Sequence, residues 1–349
     1  MSGTVTHAGW TVTYQIPWTD HQGLVISKAQ FDTGTGPRTV LFRASQPFVL
    51  VPYHSGSPTF KDGLGATCGG VGYTPLIPTA PNVPSWNLPP GNLATNDSEF
   101  DTATNPGGGV RVERLNCDEL EPNRLLIWAK FQVGNYQYVH QWEFRADGSI
   151  HVRVGLGGRL FHFNPPTMGH VHNFYFRLDF DVDGSANDVV QQFAHTSNAS
   201  GGDQWTSITV EDRRTVNPAE FTTWRVADKT PKPNGMLRSW EIIPGSDGAP
   251  DGTFSTGDLW VVHYKPGAED GADVSCTDAQ LNTTYLSGEN VDGQDVVVWH
   301  VLRHHHNPRS AGEETVVVPY EFLEFHIEAR DIFDATPTGL YATIPPSPL

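Results

Sequence analysis

Two histidines spaced two residues apart, His170 and His172, begin the stretch HVHNFYFRLDFDVDG, whose apolar alternation is typical of a β-strand. Residues i and i+2 of a strand face the same side, so both imidazoles can point at one site. Such a pair is suited to copper or zinc. Taken alone, the pair is more often two ordinary strand histidines, so a metal site requires a third ligand elsewhere.

A second histidine-rich stretch, WHVLRHHHNPR at 299–309, can supply that ligand. It closes another apolar run with His300, His304, His305 and His306. The alternative interpretation is a solvated basic turn. The two stretches together favour a metal site more than either does alone.

The acidic end of the first stretch raises the question of calcium. Asp179, Asp181, Asp183 and Gly184 resemble the first positions of an EF-hand loop. Val190 stands where that loop requires a bidentate glutamate, so an EF-hand is excluded.

Composition limits the partners and the location of the chain. The net charge of −17 argues against nucleic acid and anionic membranes as partners. The N-terminal residues lack the features of a secretory signal, and no apolar run reaches the length of a membrane span. We therefore expect no membrane association, and a cytoplasmic location.

The pattern of short strands predicts an all-β fold. Gly (35) and Pro (27) are frequent, and short alternating runs recur between turn signals. Asp147-Gly148 and Asp183-Gly184 predict hairpins. Residues 73–109 predict a long irregular loop. We expect one large antiparallel β-sandwich domain over 1–349.

A third stretch, 131–158, identifies a family. Its core, Gly134-Asn135-Tyr136-Gln137-Tyr138, resembles the motif Thr-x-x-Asn-Tyr-Asp/Glu-Tyr of the copper amine oxidases, in which the first tyrosine is oxidised in place to topaquinone. The other motifs follow in the family's order over nearly the whole chain. They are GLVISKAQFD at 23–32, VLVPY at 49–53, His-x-His to Asp179, the run from Asp292 to Arg309, and VVPYEF to DIFDATP at 317–337.

The resemblance implies a function and its residues. Copper would be bound by His170, His172 and His306, the last because it occupies the His-x-Pro-Arg position. Tyr136 would be the precursor of topaquinone, with Asn135 beside it. The reaction would be oxidative deamination of a primary amine by dioxygen, releasing aldehyde, ammonia and hydrogen peroxide. The resemblance also implies a homodimer and a chain that consists of the catalytic domain only.

Carboxylates are implied at two further places. Asp179 and Asp295 match a second, calcium-like metal site, and the alternative is ordinary acids at strand ends. Asp62, in Phe-Lys-Asp-Gly, is a candidate for the catalytic base. Alternatively, LGATCGG at 64–70 matches a later family segment; the base region is then deleted and Asp62 is a loop carboxylate.

Other positions depart from the family or are left as ordinary residues. Gln132 replaces the motif's threonine, and Gln137 replaces its acidic residue. A disulfide is implied at Cys68, with Cys117 as candidate partner, against the alternative of free thiols. The remaining strand histidines are interpreted as structural; they are His140, His151 and His162.

Two alternative functions stay open beside the amine oxidase. The first is a copper enzyme without a quinone, acting on a specialised metabolite through copper and oxygen or through Lewis-acid chemistry. The second is a non-catalytic copper-binding protein on the same fold. Copper-dependent turnover that survives replacement of Tyr136 by Phe would identify the first alternative, and no turnover would identify the second.

Overall fold

The computed structural model describes residues 2–16, 22–53, 59–63, 74–75, 108–113, 124–133, 136–158, 169–195, 204–248, 255–269, 281–307 and 318–334. These ranges contain β-strands, a short 3₁₀ helix at Pro218–Glu220 and a π-helical turn at Leu281–Tyr285. The strands are β1 (Ser2–His7), β2 (Trp10–Gln15), β3 (Val25–Asp32), β4 (Pro37–Pro52), β5 (Thr59–Asp62), β6 (Thr74–Pro75), β7 (Gly108–Glu113), β8 (Arg124–Val133), β9 (Tyr136–Arg145), β10 (Ile150–Gly158), β11 (His170–Phe180), β12 (Asp188–Ala194), β13 (Gln204–Ile208), β14 (Asp212–Arg214), β15 (Thr223–Asp228), β16 (Ser239–Ile243), β17 (Leu259–His263), β18 (Val296–His306) and β19 (Val318–Arg330).

The described strands form two antiparallel sheets. The nine-stranded sheet has the order β1-β2-β3-β4-β11-β18-β17-β14, with β5 paired to β4. The ten-stranded sheet has the order β13-β12-β15-β16-β19-β10-β9-β8-β6, with β7 paired to β8. The predicted all-β antiparallel fold is therefore confirmed.

The alternation of apolar and polar side chains along the strands explains why the two sheets pack face to face. On β10, Val152 and Val154 join the core, whereas Arg153 between them is on the other face of the sheet. Across the two sheets, the ring of Trp142 packs edge-on against Phe176, with 6.3 Å between centroids. Burying these apolar faces against each other supplies the main driving force for the sandwich.

The two predicted hairpin turns differ in outcome. Asp147-Gly148 does join neighbouring strands, β9 and β10, and Gly148 has a φ of 88°. The hairpin at Asp183-Gly184 is wrong, because this turn carries the chain from β11 in one sheet to β12 in the other. Asp183 accepts hydrogen bonds from the guanidinium groups of Arg38 and Arg238, which hold the crossing in place.

Several predicted features lie outside the described residues. Among them are most of the loop at 73–109 and all three cysteines, including the implied pair Cys68 and Cys117. None of the helices in the described ranges has the length and apolarity that a membrane-spanning helix needs.

Candidate metal centre

The three histidines predicted as ligands meet at one point between the two sheets. His170 and His172 lie two residues apart on β11, and His306 on β18 is the cross-strand partner of His170. One ligand nitrogen from each lies within 4.8 Å of the others, and all three side chains are buried. Nε2 of His170 and Nε2 of His172 are 3.0 Å apart. Two nitrogens on one tetrahedral metal ion stand roughly 3.3 Å apart, so the triad is already close to a binding geometry.

Two tyrosines on β9 of the opposite sheet cover the triad. The hydroxyl of Tyr136 lies 3.0 Å from Nε2 of His170, and its ring meets His172 edge-on at 4.9 Å between centroids. The hydroxyl of Tyr138 lies 3.0 Å from Nδ1 of His172. A hydrogen bond at Nδ1 fixes the orientation of the ring and leaves Nε2 as the ligand atom.

A third tyrosine, Tyr53, completes the wall. Its hydroxyl lies 3.1 Å from the hydroxyl of Tyr136, and its ring stacks on His170 at 4.4 Å between centroids. Burial raises the pKa of Tyr53 well above its ordinary value, and the Tyr136 phenol and the Asp62 carboxylate raise it further. Tyr53 therefore remains a neutral phenol that can donate a hydrogen bond to the oxygen of Tyr136.

The electrostatics of the triad suit a metal ion. Burial lowers the pKa of His172 well below its ordinary value, and the neighbouring imidazoles of His170, His306 and His304 lower it further. Neutral imidazole is the form that binds metals. Three buried imidazoles form a donor set that fits copper or zinc.

The other histidines of the second stretch have different surroundings. His304 lies with Nδ1 2.9 Å from Asp247 and Nε2 2.9 Å from Glu321, in a pair of charge-assisted contacts. His305 is exposed, and its backbone amide donates to Asp247. Of this run of three, the structure brings only His306 into the triad.

The two glutamines that depart from the family motif lie away from the triad. Gln132 and Gln137 are cross-strand partners, and the amide of Gln137 donates to Gln132 over 3.3 Å. The hydroxyl of Tyr320 also donates to Gln137, over 3.0 Å. Strand alternation puts Gln137 on the face of β9 opposite to Tyr136. The change from an acidic residue to Gln137 therefore alters the far side of the sheet and not the surroundings of the Tyr136 ring.

The remaining predicted catalytic residues are Asp62 and Asn135. Asp62 ends β5 and is buried, close enough to Tyr53 to raise the pKa of that phenol. The structure thus places Asp62 in the wall of the site, on a strand paired to β4. Asn135 lies outside the described residues.

The acids predicted for a second metal lie at the far end of the same strands. Asp179 accepts a hydrogen bond of 3.0 Å from Arg177. Burial nevertheless raises the pKa of Asp179 to about 6, against the opposing charge of Arg177 and with the help of Asp295. Burial also raises the pKa of Asp295, and so does the nearby Asp181.

A fourth acid, Asp188, belongs to this cluster. It is fully buried, and neither carboxylate oxygen has a hydrogen-bond partner among the residues that the structure describes. Burial raises its pKa to about 9, with Asp181 and Asp295 among the contributing charges. Buried carboxylates that raise one another's pKa are compatible with a cation site, because a bound cation would let them ionise.

Sequence reasoning missed four of the residues that complete these sites. Tyr53 ends the VLVPY run. Tyr138 stands two residues after Tyr136, so strand alternation could have placed Tyr138 on the same face as Tyr136. Asp181 follows Asp179 at the same spacing. Asp188 carried no such signal, because it belongs to the other sheet.

Comparisons with known proteins place the chain in a family. The family described as "Copper amine oxidase, enzyme domain" matches residues 112–343. A primary amine oxidase of Klebsiella aerogenes is 25% identical over 389 residues, covering 90% of this chain and 50% of the relative. A histamine oxidase of Arthrobacter globiformis is also 25% identical, covering 95% of this chain and 56% of the relative. The chain thus spans about half the length of these relatives.

Solved structures agree on the fold. A copper-containing benzylamine oxidase from Hansenula polymorpha superposes with a TM-score of 0.68 at 19% identity, covering 98% of this chain and 61% of that one. An amine oxidase of Aspergillus nidulans gives a TM-score of 0.61 at 15% identity, covering 95% of this chain and 52% of that one. The chain belongs to the copper amine oxidase family and carries its enzyme domain.

Proposed function

We propose that this protein is a copper-dependent primary amine oxidase whose cofactor is formed from Tyr136. The observation that carries the proposal is the contact between the Tyr136 hydroxyl and Nε2 of His170, 3.0 Å, within a triad of buried imidazoles. A phenol in contact with a prospective copper ligand is where an oxidative modification of tyrosine would take place. The family and its amine-oxidising relatives support the assignment.

His170, His172 and His306 would hold the copper ion, which supplies the one-electron and oxygen chemistry that no protein side chain provides. The chain's own residues would prepare the phenol for it. The hydroxyl groups of Tyr53 and Tyr136 share a hydrogen bond, and Tyr138 fixes the ring of His172. The tight packing around Tyr136, which is only 5% exposed, holds its ring in one orientation.

We assign the role of general base to Asp62. The overall reaction would consume a primary amine, dioxygen and water, and release aldehyde, ammonia and hydrogen peroxide. One proton must leave the carbon next to the amine, and a positioned carboxylate can accept it. Asp62 is a buried carboxylate in the wall beside Tyr53, in keeping with that role.

We further propose that Asp179, Asp181, Asp188 and Asp295 bind a calcium-like cation that stabilises the fold. The raised pKa values of Asp179, Asp188 and Asp295 support this assignment, because burial and then mutual repulsion raise them, and a bound cation would offset both. We also expect a homodimer, as the family resemblance implies. Light scattering on the purified protein measures that directly.

The test of the amine oxidase proposal is an assay of hydrogen peroxide released from a panel of primary amines. We expect copper-dependent peroxide and aldehyde in equal amounts with the unmodified protein, and none with Tyr136→Phe. Asp62→Asn should lower kcat by roughly 10²- to 10⁴-fold, the range for loss of a general base. Its cofactor should still form, which separates catalysis from cofactor formation.

Other outcomes would select one of the alternatives. Copper-dependent turnover that survives Tyr136→Phe would overturn the quinone and point to direct copper and oxygen or Lewis-acid chemistry. Copper binding without turnover on any amine would support a binding protein. An Asp62→Asn variant with full activity would remove Asp62 from the mechanism.

A further inference from the structure

A second cluster of metal-ligating side chains lies on the opposite side of the ten-stranded sheet. It contains His151 on β10, and His326 and Glu328 on β19. One ligand atom from each residue lies within 4.8 Å of the other two. The neighbouring Val152 and Ile327 point into the core, so the cluster faces outward. It is therefore separate from the histidine triad between the sheets.

The strand geometry of this cluster repeats that of the triad. His326 and Glu328 stand two residues apart on one strand and share a face, as His170 and His172 do. His151 is the cross-strand partner of His326, just as His306 is the partner of His170. Two paired strands therefore deliver three ligand atoms to one point in both places.

The distances within the cluster fit a metal ion better than hydrogen bonds. One oxygen of Glu328 lies 3.6 Å from Nε2 of His151 and 3.7 Å from Nδ1 of His326. Both distances are too long for good hydrogen bonds. They are close to the roughly 3.3 Å between ligand atoms on a tetrahedral zinc ion. The rings of His151 and His326 stack face to face at 3.8 Å between centroids, so both would turn to bring their nitrogens onto one ion.

The surroundings favour a cation and leave room for a further ligand. Glu324 adds a second carboxylate, 3.3 Å from Nε2 of His326, and is paired with Arg153 over 3.3 Å. The carboxylates of Glu324 and Glu328 thus outnumber the single guanidinium of Arg153 in this group. The side chains of His326 and Glu328 are 31% and 29% exposed, so water can occupy a fourth position.

We propose that His151, His326 and Glu328 form a binding site for a divalent transition-metal ion, with zinc as the best match to the donor set. Two imidazoles and one carboxylate with an open position are a common zinc ligand set. The bound ion would clamp β10 to β19, two central strands of the sheet. Under this proposal His151 would bind a metal ion, whereas the sequence predicted an ordinary strand histidine.

The test is zinc titration by calorimetry, with the protein first loaded with copper and kept in calcium so that the other proposed sites are filled. We expect one zinc ion per chain in the unmodified protein. His151→Gln and His326→Gln should each weaken that binding by at least roughly 10- to 100-fold, a range that even outer-shell changes produce. His195→Gln, directly after β12, is the matched control and should bind zinc normally.

A second measurement needs no variant, so a misfolded mutant cannot obscure the answer. Diethyl pyrocarbonate modifies accessible histidines, and mass spectrometry reports the extent at His326. Zinc should protect His326 and leave His195 as reactive as before. The proposal fails if the unmodified protein binds no zinc, if zinc binding is unchanged in both cluster variants, or if zinc does not protect His326.

Discussion

The histidine triad and the outward-facing cluster on β10 and β19 are built on the same strand geometry but meet different neighbours. The triad faces the other sheet, where Tyr136, Tyr138 and Tyr53 close over it. The outward cluster faces solvent, with a carboxylate as its third ligand and glutamate and arginine around it. Ligand spacing is thus easily produced by paired strands. What distinguishes the triad is the layer of phenols that packs against it.

The difference separates two requirements of a redox site. Three ligands converging on one point are enough to bind a metal ion. Chemistry on a tyrosine also requires that the phenol touch the ligands, that water be kept out and that the imidazoles be neutral. In the triad, Tyr136 contacts His170, all three imidazoles are buried away from water, and burial lowers the pKa of His172 so that this ring stays neutral. The outward cluster has no tyrosine among its described contacts.

The largest expected effect comes from one substitution made in both clusters. His172→Gln should lower amine oxidation by more than the roughly 100-fold typical of changes outside the ligand shell. Copper content, measured by elemental analysis, should fall with it. His326→Gln, the same change in the outward cluster, should leave both unchanged. Equal losses in the two variants would contradict the separation of the sites.

The phenol layer can be tested by removing single hydroxyl groups. Tyr138→Phe deletes the hydrogen bond to Nδ1 of His172 and should weaken copper binding by roughly 10- to 100-fold. Tyr320→Phe removes a hydroxyl bonded to Gln137 on the outer face and is the matched control. Competition with a copper chelator measures both variants. Unchanged affinity in Tyr138→Phe would show that packing alone orients His172.

The effect of burial on a carboxylate can be tested by comparing the pH dependence of stability at Asp188, which is fully buried, with that at Glu328, which is partly exposed. The pKa of Asp188 is raised to about 9, so without a cation the folded state holds a proton that the unfolded state has lost above pH 4. Stability of the chelator-treated protein should therefore fall as pH rises from about 4 to about 9. Asp188→Asn should flatten this dependence and raise the melting temperature at pH 8.

Thermal unfolding at several pH values measures this effect, at no more than roughly 2–4 °C per kcal/mol, since that range holds for domains of about 150–250 residues and falls with size. Calcium should reduce the difference between the two proteins at pH 8 by stabilising the unmodified one. Glu328→Gln is the control and should leave the fall in stability above about pH 7 unchanged, because contact with His151 lowers the pKa of Glu328 and confines its own effect to acid pH. A pH profile that is the same in Asp188→Asn would show that Asp188 ionises freely.

The smallest expected effect is at the position where the chain departs from the family motif. Gln137→Glu restores the family's acidic residue on the face of β9 opposite to Tyr136. Because the substitution is remote from the triad, it should change the free energy of unfolding by no more than about 0.5 kcal/mol. The rate of cofactor formation should change by no more than roughly twofold. A large gain in rate would show that the acid acts on Tyr136 through the strand.

Much of the fold and the metal site was accessible from sequence because both depend on short-range strand geometry. The spacing of His170 and His172 determines that they share a face, and the family order of motifs selected His306. The prediction of a hairpin at Asp183-Gly184 was wrong because turn residues determine the local φ and not which sheet the next strand joins. The side chains that contact across sheets were also missed, since Tyr53 and Asp188 are distant in sequence from their partners.

The outward cluster also could not be predicted from the sequence. His151 and His326 are far apart in the chain, and the sequence offers no spacing that joins them. Their rings stack at 3.8 Å between centroids only because β10 and β19 pair in register. Register between distant strands depends on the whole sheet, so this ligand set became visible only in the folded structure.

The central claim is that copper held by the triad converts Tyr136 to a quinone. The most direct measurement is to prepare the protein without copper, add copper in air, label with phenylhydrazine and determine the mass of the peptide that contains Tyr136. The account predicts a heavier, labelled Tyr136 peptide that requires copper and is absent in Tyr136→Phe. An unmodified Tyr136 in protein that has bound copper would contradict it.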